Sequence, residues 1–178
     1  IMAAPPGAQL ELPLLPISPR HSSQELASLT QVVGYYETWV SGSVHRHNNI
    51  RLAAQGISNV LLWPGESFSF NQVVGPRSPE RGYLPAPILI SGARGTDFGG
   101  GVCQVASTLY NAAVNAGLTI EERHPHSKPV GYVPEGRDAT VSYPDVDLRF
   151  TNSREEPIII KAGVSGSRLW VKIMGRSK

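Results

Sequence analysis

One cysteine, Cys103, and two closely spaced histidines, His124 and His126, are the side chains best suited to nucleophilic chemistry in this 178-residue chain. The cysteine lies in FGGGVCQVASTLYNAAVNAG (98–117), where three glycines lead directly into a helical pattern. In the first turn of a helix, unpaired N–H groups and the positive end of the helix dipole favour an anion. A thiol placed there ionises more readily and is a better nucleophile. Gly99, Gly100 and Gly101 let the backbone approach closely and can turn N–H groups toward one point, as an oxyanion site requires. Gln104 is a further candidate donor, or else a solvated residue on the helix surface.

Free cysteines are commonly packed as small hydrophobes. Here the apolar stripe of the helix is Val102, Val105, Leu109, Ala112, Ala113 and Ala116, and Gly117 sits where a C-terminal glycine cap belongs. Cys103 lies off that stripe, on a more polar side with Ser107, Tyr110 and Asn111.

A nucleophilic thiol usually needs a base. In ERHPHSKPVGYVPEGRDATV either His124 or His126 can serve, with the other orienting substrate. Alternation along an extended segment would point both the same way and Pro125 the other. Asp138 can fix an imidazole tautomer or cap a turn in EGRDA. The pairs His45/His47 and His124/His126 also suggest a zinc site with Cys103. H-x-H without a fixed partner spacing is weak support, so no metal or other cofactor is expected.

These groups need positioning elements. Residues 1–31 are rich in Pro and Leu without a period and read as an extended arm or linker, ending in a short helix capped by Ser22 or Ser23. The domain proper is expected over 32–178. VVGYYETWV reads as a strand, SGSVHRHNN as a polar loop, IRLAAQGI as a short helix and NVLLWPGESFSFN as extended. Residues 75–100 look loop-heavy. After the cysteine helix, LTIEER, ATVSY, VDLRFTN, PIIIKAGV and RLWVKIMG read as strands, with VSGSR turning a hairpin. The expected class is α+β: a central helix on a mainly antiparallel sheet.

The bulk composition removes several alternatives. Sixteen Lys and Arg against fourteen Asp and Glu, with no basic block, give no case for nucleic acid. No run of about 18 apolar residues is present to span a membrane. A single cysteine allows no internal disulfide. The abrupt opening IMAAPPGAQLELPLLP fits a chain trimmed of any export signal or upstream anchor.

Longer motifs are more specific. RHNNIRLAA, PGESFSFNQVVGPRSPERGYLPAPILISG, GGGVCQVASTLYNAAVNAGLTIEERHPHS and PVGYVPEGRDATVSY with DLRFTN resemble the VanW family, from roughly Thr38 to Lys161. The resemblance implies an extracytoplasmic protein of the bacterial cell envelope, with peptidoglycan stem peptides as partner. It also implies a cysteine acyltransferase of L,D-transpeptidase type, with Cys103 as nucleophile and Arg123, His126 and Ser127 in the family's histidine motif. Substrate contacts are then expected from Arg123, Ser127, Arg81, Arg94, Tyr110 and Asn111, and oxyanion stabilisation from Gly100, Gly101 and Gln104. Two alternatives stay open: a cysteine peptidoglycan hydrolase, and a non-catalytic module that binds peptidoglycan or glycopeptide.

Overall fold

The computed structural model describes residues 26–90 and 93–176. Residues 1–25 of the expected arm, including the cap at Ser22 or Ser23, fall outside the described residues; of the rest, Leu26 and Ala27 are helical, Leu29 is buried and Gln31 already belongs to the first strand. The remainder forms the α+β architecture. A four-stranded antiparallel sheet has the order β1 (Gln31–Trp39), β9 (Arg168–Gly175), β8 (Ile158–Ser165) and β2 (Leu61–Leu62). A second sheet joins β3 (Ser67–Ser69), β7 (Arg149–Thr151) and β6 (Thr119–Glu122), and β4 (Pro85–Ile90) pairs with β5 (Ala93–Phe98) as a hairpin. The helices are α1 (Val44–Ile57), α2 (Phe70–Val74) and α3 (Val102–Asn115).

Strand periodicity explains the large sheet. Leu169, Val171 and Ile173 on β9 and Ile158, Ile160 and Ala162 on β8 are buried in alternation, so one face is apolar. Helices α1 and α3 cover that face, α1 through Ile50, Ala53, Ala54 and Ile57. Gly34 lets β1 press directly on α3: a Cβ there would lie 2.3 Å from the Ala112 carbonyl oxygen and 2.7 Å from the Ala116 Cβ. The second sheet closes the other flank of α3, with Phe68 stacked on Phe150 at 4.8 Å between ring centroids.

Four expectations change. SGSVHRHNN is not a loop; α1 begins at Val44, and the Ser43 side chain caps it by accepting the Arg46 N–H. The polar run hides a helix because Asn49 is fully buried and bonds other segments instead of solvent. Residues 85–98 form a hairpin despite Pro85 and Pro87. ATVSY makes no strand: only the isolated bridges His124–Thr140 and Ser142–Val146 occur there. The end of NVLLWPGESFSFN is not extended, because Phe70 and Asn71 open α2 with the Ser69 side chain as its cap; the remaining strands and the Gly117 cap stand as expected. Gly117 (φ +72°) completes a Schellman motif, with Leu118 N–H on Ala113 O and Gly117 N–H on Val114 O.

Candidate functional site

The turn before α3 shapes the site. Gly99 and Gly101 have φ of +85° and +109°, and Gly101 is the N-cap, with no side chain to satisfy the first turn. The Val102 and Gln104 N–H groups are taken by the Gly99 and Gly101 carbonyls. Among the described residues, the Cys103 N–H between them has no backbone partner. Gly100 packs so tightly on β4 that a Cβ would lie 2.6 Å from the Ala86 oxygen and 2.7 Å from the Pro87 oxygen.

The polar side of α3 turns out to be an attachment surface rather than a solvated one. Ser107 and Asn111 are fully buried. The Ser107 hydroxyl donates to the Cys103 carbonyl and accepts the Ala139 N–H, both at 2.8 Å. Asn111 donates to the Ser107 and Arg137 carbonyls. These bonds lay residues 137–142 along the helix and bring two groups to the cysteine.

His126 is one of them. Its backbone N–H and its Nδ1 both lie 2.6 Å from Asp138 Oδ2. With Nδ1–H given to the carboxylate, Nε2 remains for the thiol. Cys103 is half-buried, and its Sγ also donates to the Val141 carbonyl at 3.4 Å. Burial alone would lower the His126 pKa. The hydrogen bonds and charges of Cys103 and Asp138 outweigh it and hold the imidazole above its usual value. Burial likewise works against the Asp138 carboxylate, yet bonds from His126 keep its pKa below the usual range. Arg123 steadies that carboxylate, donating from Nε to Asp138 O and from Nη2 to Oδ1 at 2.9 Å, and lies over the Tyr110 ring.

The residues singled out from the sequence therefore separate. Asp138 is hydrogen-bonded to His126, and the Cys103 thiol, which acts on that imidazole, lines the same cleft. His124 is not part of this group: its ring is exposed and bonds Glu122 at 2.9 Å. Alternation fails because the strand ends at the His124–Thr140 bridge, and His126 gives its N–H to a side chain instead of a ladder. Gln104 is buried, not a surface residue, with its amide spent on Thr38, the Trp39 carbonyl and Arg46. Arg123, Tyr110 and Asn111 act as supports. Ser127 is exposed and lines a second pocket that also touches His126 and Asp138 but not Cys103. Arg81 is exposed and donates to Val74 O, away from Cys103. The Arg94 side chain lies outside the described residues. His45 and His47 bond the Pro85 and Ser43 carbonyls, and no three His, Cys, Asp or Glu side chains gather for a metal among the described residues.

Cys103 and His126 line a cleft of about 1010 Å³ between the β4–β5 hairpin and residues 129–146. Its walls include groups that composition and spacing did not single out as site residues: Arg46, Arg77 and Tyr132. Arg46 and Asn49 lie in the RHNNIRLAA motif, which marked the segment without assigning it a role. Burial pushes the Tyr132 phenol well above its usual pKa, and the neighbouring Cys103 charge adds to this, so the phenol stays a neutral donor.

The fold and site thus define an α+β domain holding a Cys–His–Asp arrangement at the head of a buried helix, in a cleft walled by arginine. The chain belongs to the VanW-like family, whose model, described as "VanW like protein", matches residues 45–174 and so extends through most of β9. It is 44% identical over 168 residues to the uncharacterized protein YoaR of Bacillus subtilis (strain 168), covering 93% of this chain and 55% of that one. It is 31% identical over 112 residues to the vancomycin B-type resistance protein VanW of Enterococcus faecalis (strain ATCC 700802 / V583), covering 60% and 41%. The chain therefore spans about half the length of these relatives. No solved structure matches it significantly.

Proposed function

We propose that this domain is a cysteine acyltransferase of the bacterial cell envelope that crosslinks peptidoglycan stem peptides as an L,D-transpeptidase. The observation that carries the reading is the Cys103–His126–Asp138 arrangement on the cleft, beside a Cys103 N–H that has no backbone partner among the described residues. Kinship with a protein named for vancomycin resistance supports a wall substrate and an extracytoplasmic location.

In this mechanism His126 takes the thiol proton and the Cys103 sulfur attacks the carbonyl after the third stem residue. The Cys103 N–H stabilises the oxyanion. The C–N bond breaks, the imidazolium protonates the departing D-alanine amine, and a thioester remains. An acceptor amine then attacks the thioester and transfers its proton to His126. The new amide forms as the C–S bond breaks, regenerating the thiolate. Asp138 holds the tautomer and offsets the imidazolium charge.

Incubation with purified tetrapeptide muropeptides, read by mass spectrometry, tests the reading. Crosslinked dimer with loss of alanine is expected from the native chain and not from Cys103→Ala. Monomer trimmed of alanine would replace the transferase by a hydrolase. Untouched substrate with folded protein would leave a binding module.

A further inference from the structure

The two arginines of the cleft stand out because neither is paired with a carboxylate among the described residues. Arg46 lies over Gly101: a Cβ on that glycine would meet its Nη1 at 3.0 Å. Arg77 lies over Gly99, whose Cβ would meet the Arg77 Cβ at 2.7 Å and Cγ at 2.8 Å. The glycine turn beneath Cys103 therefore makes room for a guanidinium side chain on each side. Arg46 donates to Ser41 O and Gln104 Oε1, and Arg77 donates from Nη1 to Gly75 O while lying over the Phe70 ring. Among the described residues, the buried Arg77 Nη2 has no hydrogen-bond partner.

Neither arginine forms an ion pair among the described residues. Asp97, the carboxylate on the cleft wall nearest in sequence to the turn, caps the Phe98 N–H instead. Both arginines lie in the field of Cys103, and Arg77 lies also in that of Asp147, whose carboxylate is occupied by Ser69 and by the Asn71 and Leu148 N–H groups. Burial lowers the pKa of both guanidiniums, which measures how poorly their charge is solvated there. Burying a cation without a counter-charge is unfavourable, so a cleft holding two of them is prepared for an anion. The planar fork of a guanidinium matches a carboxylate better than it matches the single oxygen of a tetrahedral intermediate. That oxygen already has the Cys103 N–H.

We infer that Arg46 and Arg77, flanking the glycine turn, bind the free carboxylate of the residue that leaves the acyl donor. This rests on reading the cleft as an acyl-donor site, and it deepens that reading. The accepted donor is a peptide whose scissile carbonyl lies one residue from a free C-terminus; an internal or amidated peptide lacks the group the arginines recognise.

The test separates recognition from chemistry by using the Cys103→Ala chain. Calorimetric titration compares Nα,Nε-diacetyl-L-lysyl-D-alanine with its C-terminal amide. The acid is expected to bind about tenfold or more tightly, as a charge-assisted bond allows. Arg77→Gln should bring the acid down to the affinity of the amide while leaving the amide unchanged, and Arg77→Lys should restore part of the difference. Arg46→Gln, with folding checked by its melting curve, should act likewise. Equal binding of acid and amide, no binding of either, or an equal loss of both in the variants would overturn the inference. Failure of the muropeptide assay alone would remove the transferase and leave carboxylate recognition standing.

Discussion

The Nδ1 of His126 stands 2.6 Å from Oδ2 of Asp138, and the same oxygen receives the His126 backbone N–H. Two contacts from one residue to one oxygen fix the ring plane as well as the tautomer. Asp138→Asn keeps the size but reverses the preferred tautomer, turning a protonated nitrogen toward the thiol. Turnover of muropeptide should fall about 10²- to 10⁴-fold, with an unchanged circular dichroism spectrum. Undiminished turnover would remove His126 as the base.

The same pair makes stability depend on pH. The raised His126 pKa contributes stability that is complete below the unfolded value of about 6.5 and disappears as pH rises through the folded value. The lowered Asp138 pKa contributes stability present above about 3.9, lost as pH falls through its own folded value. The gap in melting temperature between native protein and Asp138→Asn should therefore be widest between about pH 4 and 6.5 and narrow toward pH 9. Thermal melts across that range provide the check.

Alkylation probes the thiol without a substrate. If His126 accepts the Cys103 proton, His126→Gln should slow labelling by iodoacetamide about tenfold at neutral pH. Glu122→Gln, which removes the partner of exposed His124, should leave the rate alone. Equal rates in native and His126→Gln chains would count against the pair.

The glycines before the cysteine should resist substitution for different reasons. Gly101→Ala forces a side chain to φ +109° and against Ile50 at 2.9 Å, a cost of about 1–3 kcal/mol. Gly100→Ala meets β4 backbone that cannot swing aside, and overpacking there costs about 1–3 kcal/mol or more. Urea unfolding should rank both well below Gly131→Ala, where nothing lies within 4 Å of the added carbon.

The cysteine, its helix and the His126 segment could be read from the sequence because each depends on local spacing. The use of Asp138 could not be decided there, since a turn cap and a tautomer anchor look alike until the chain folds back. Asn111, expected to touch substrate, and Ser107, noted only as polar, prove to be structural for a related reason. A polar stripe ordinarily faces water, but here it satisfies the carbonyls of a segment about thirty residues away. The first half of α1 was hidden because His45, Arg46, His47, Asn48 and Asn49 lack an apolar period, several of them serving other segments of the chain. Arg77 carried no local signal, because its meaning lies in a missing partner.

Gly34 sets a boundary that the family model does not. The family match begins at residue 45, yet β1 runs from Gln31 to Trp39, zips along β9, and seats the C-terminal half of α3 against a residue with no side chain. A fragment trimmed to the matched residues would leave β9 as a bare edge, open to pairing with another chain. It would also free the far end of the roughly 20 Å rod whose other end carries Cys103. The smallest piece able to hold the thiol in register therefore starts no later than β1, and dissection of longer relatives should cut upstream of that strand.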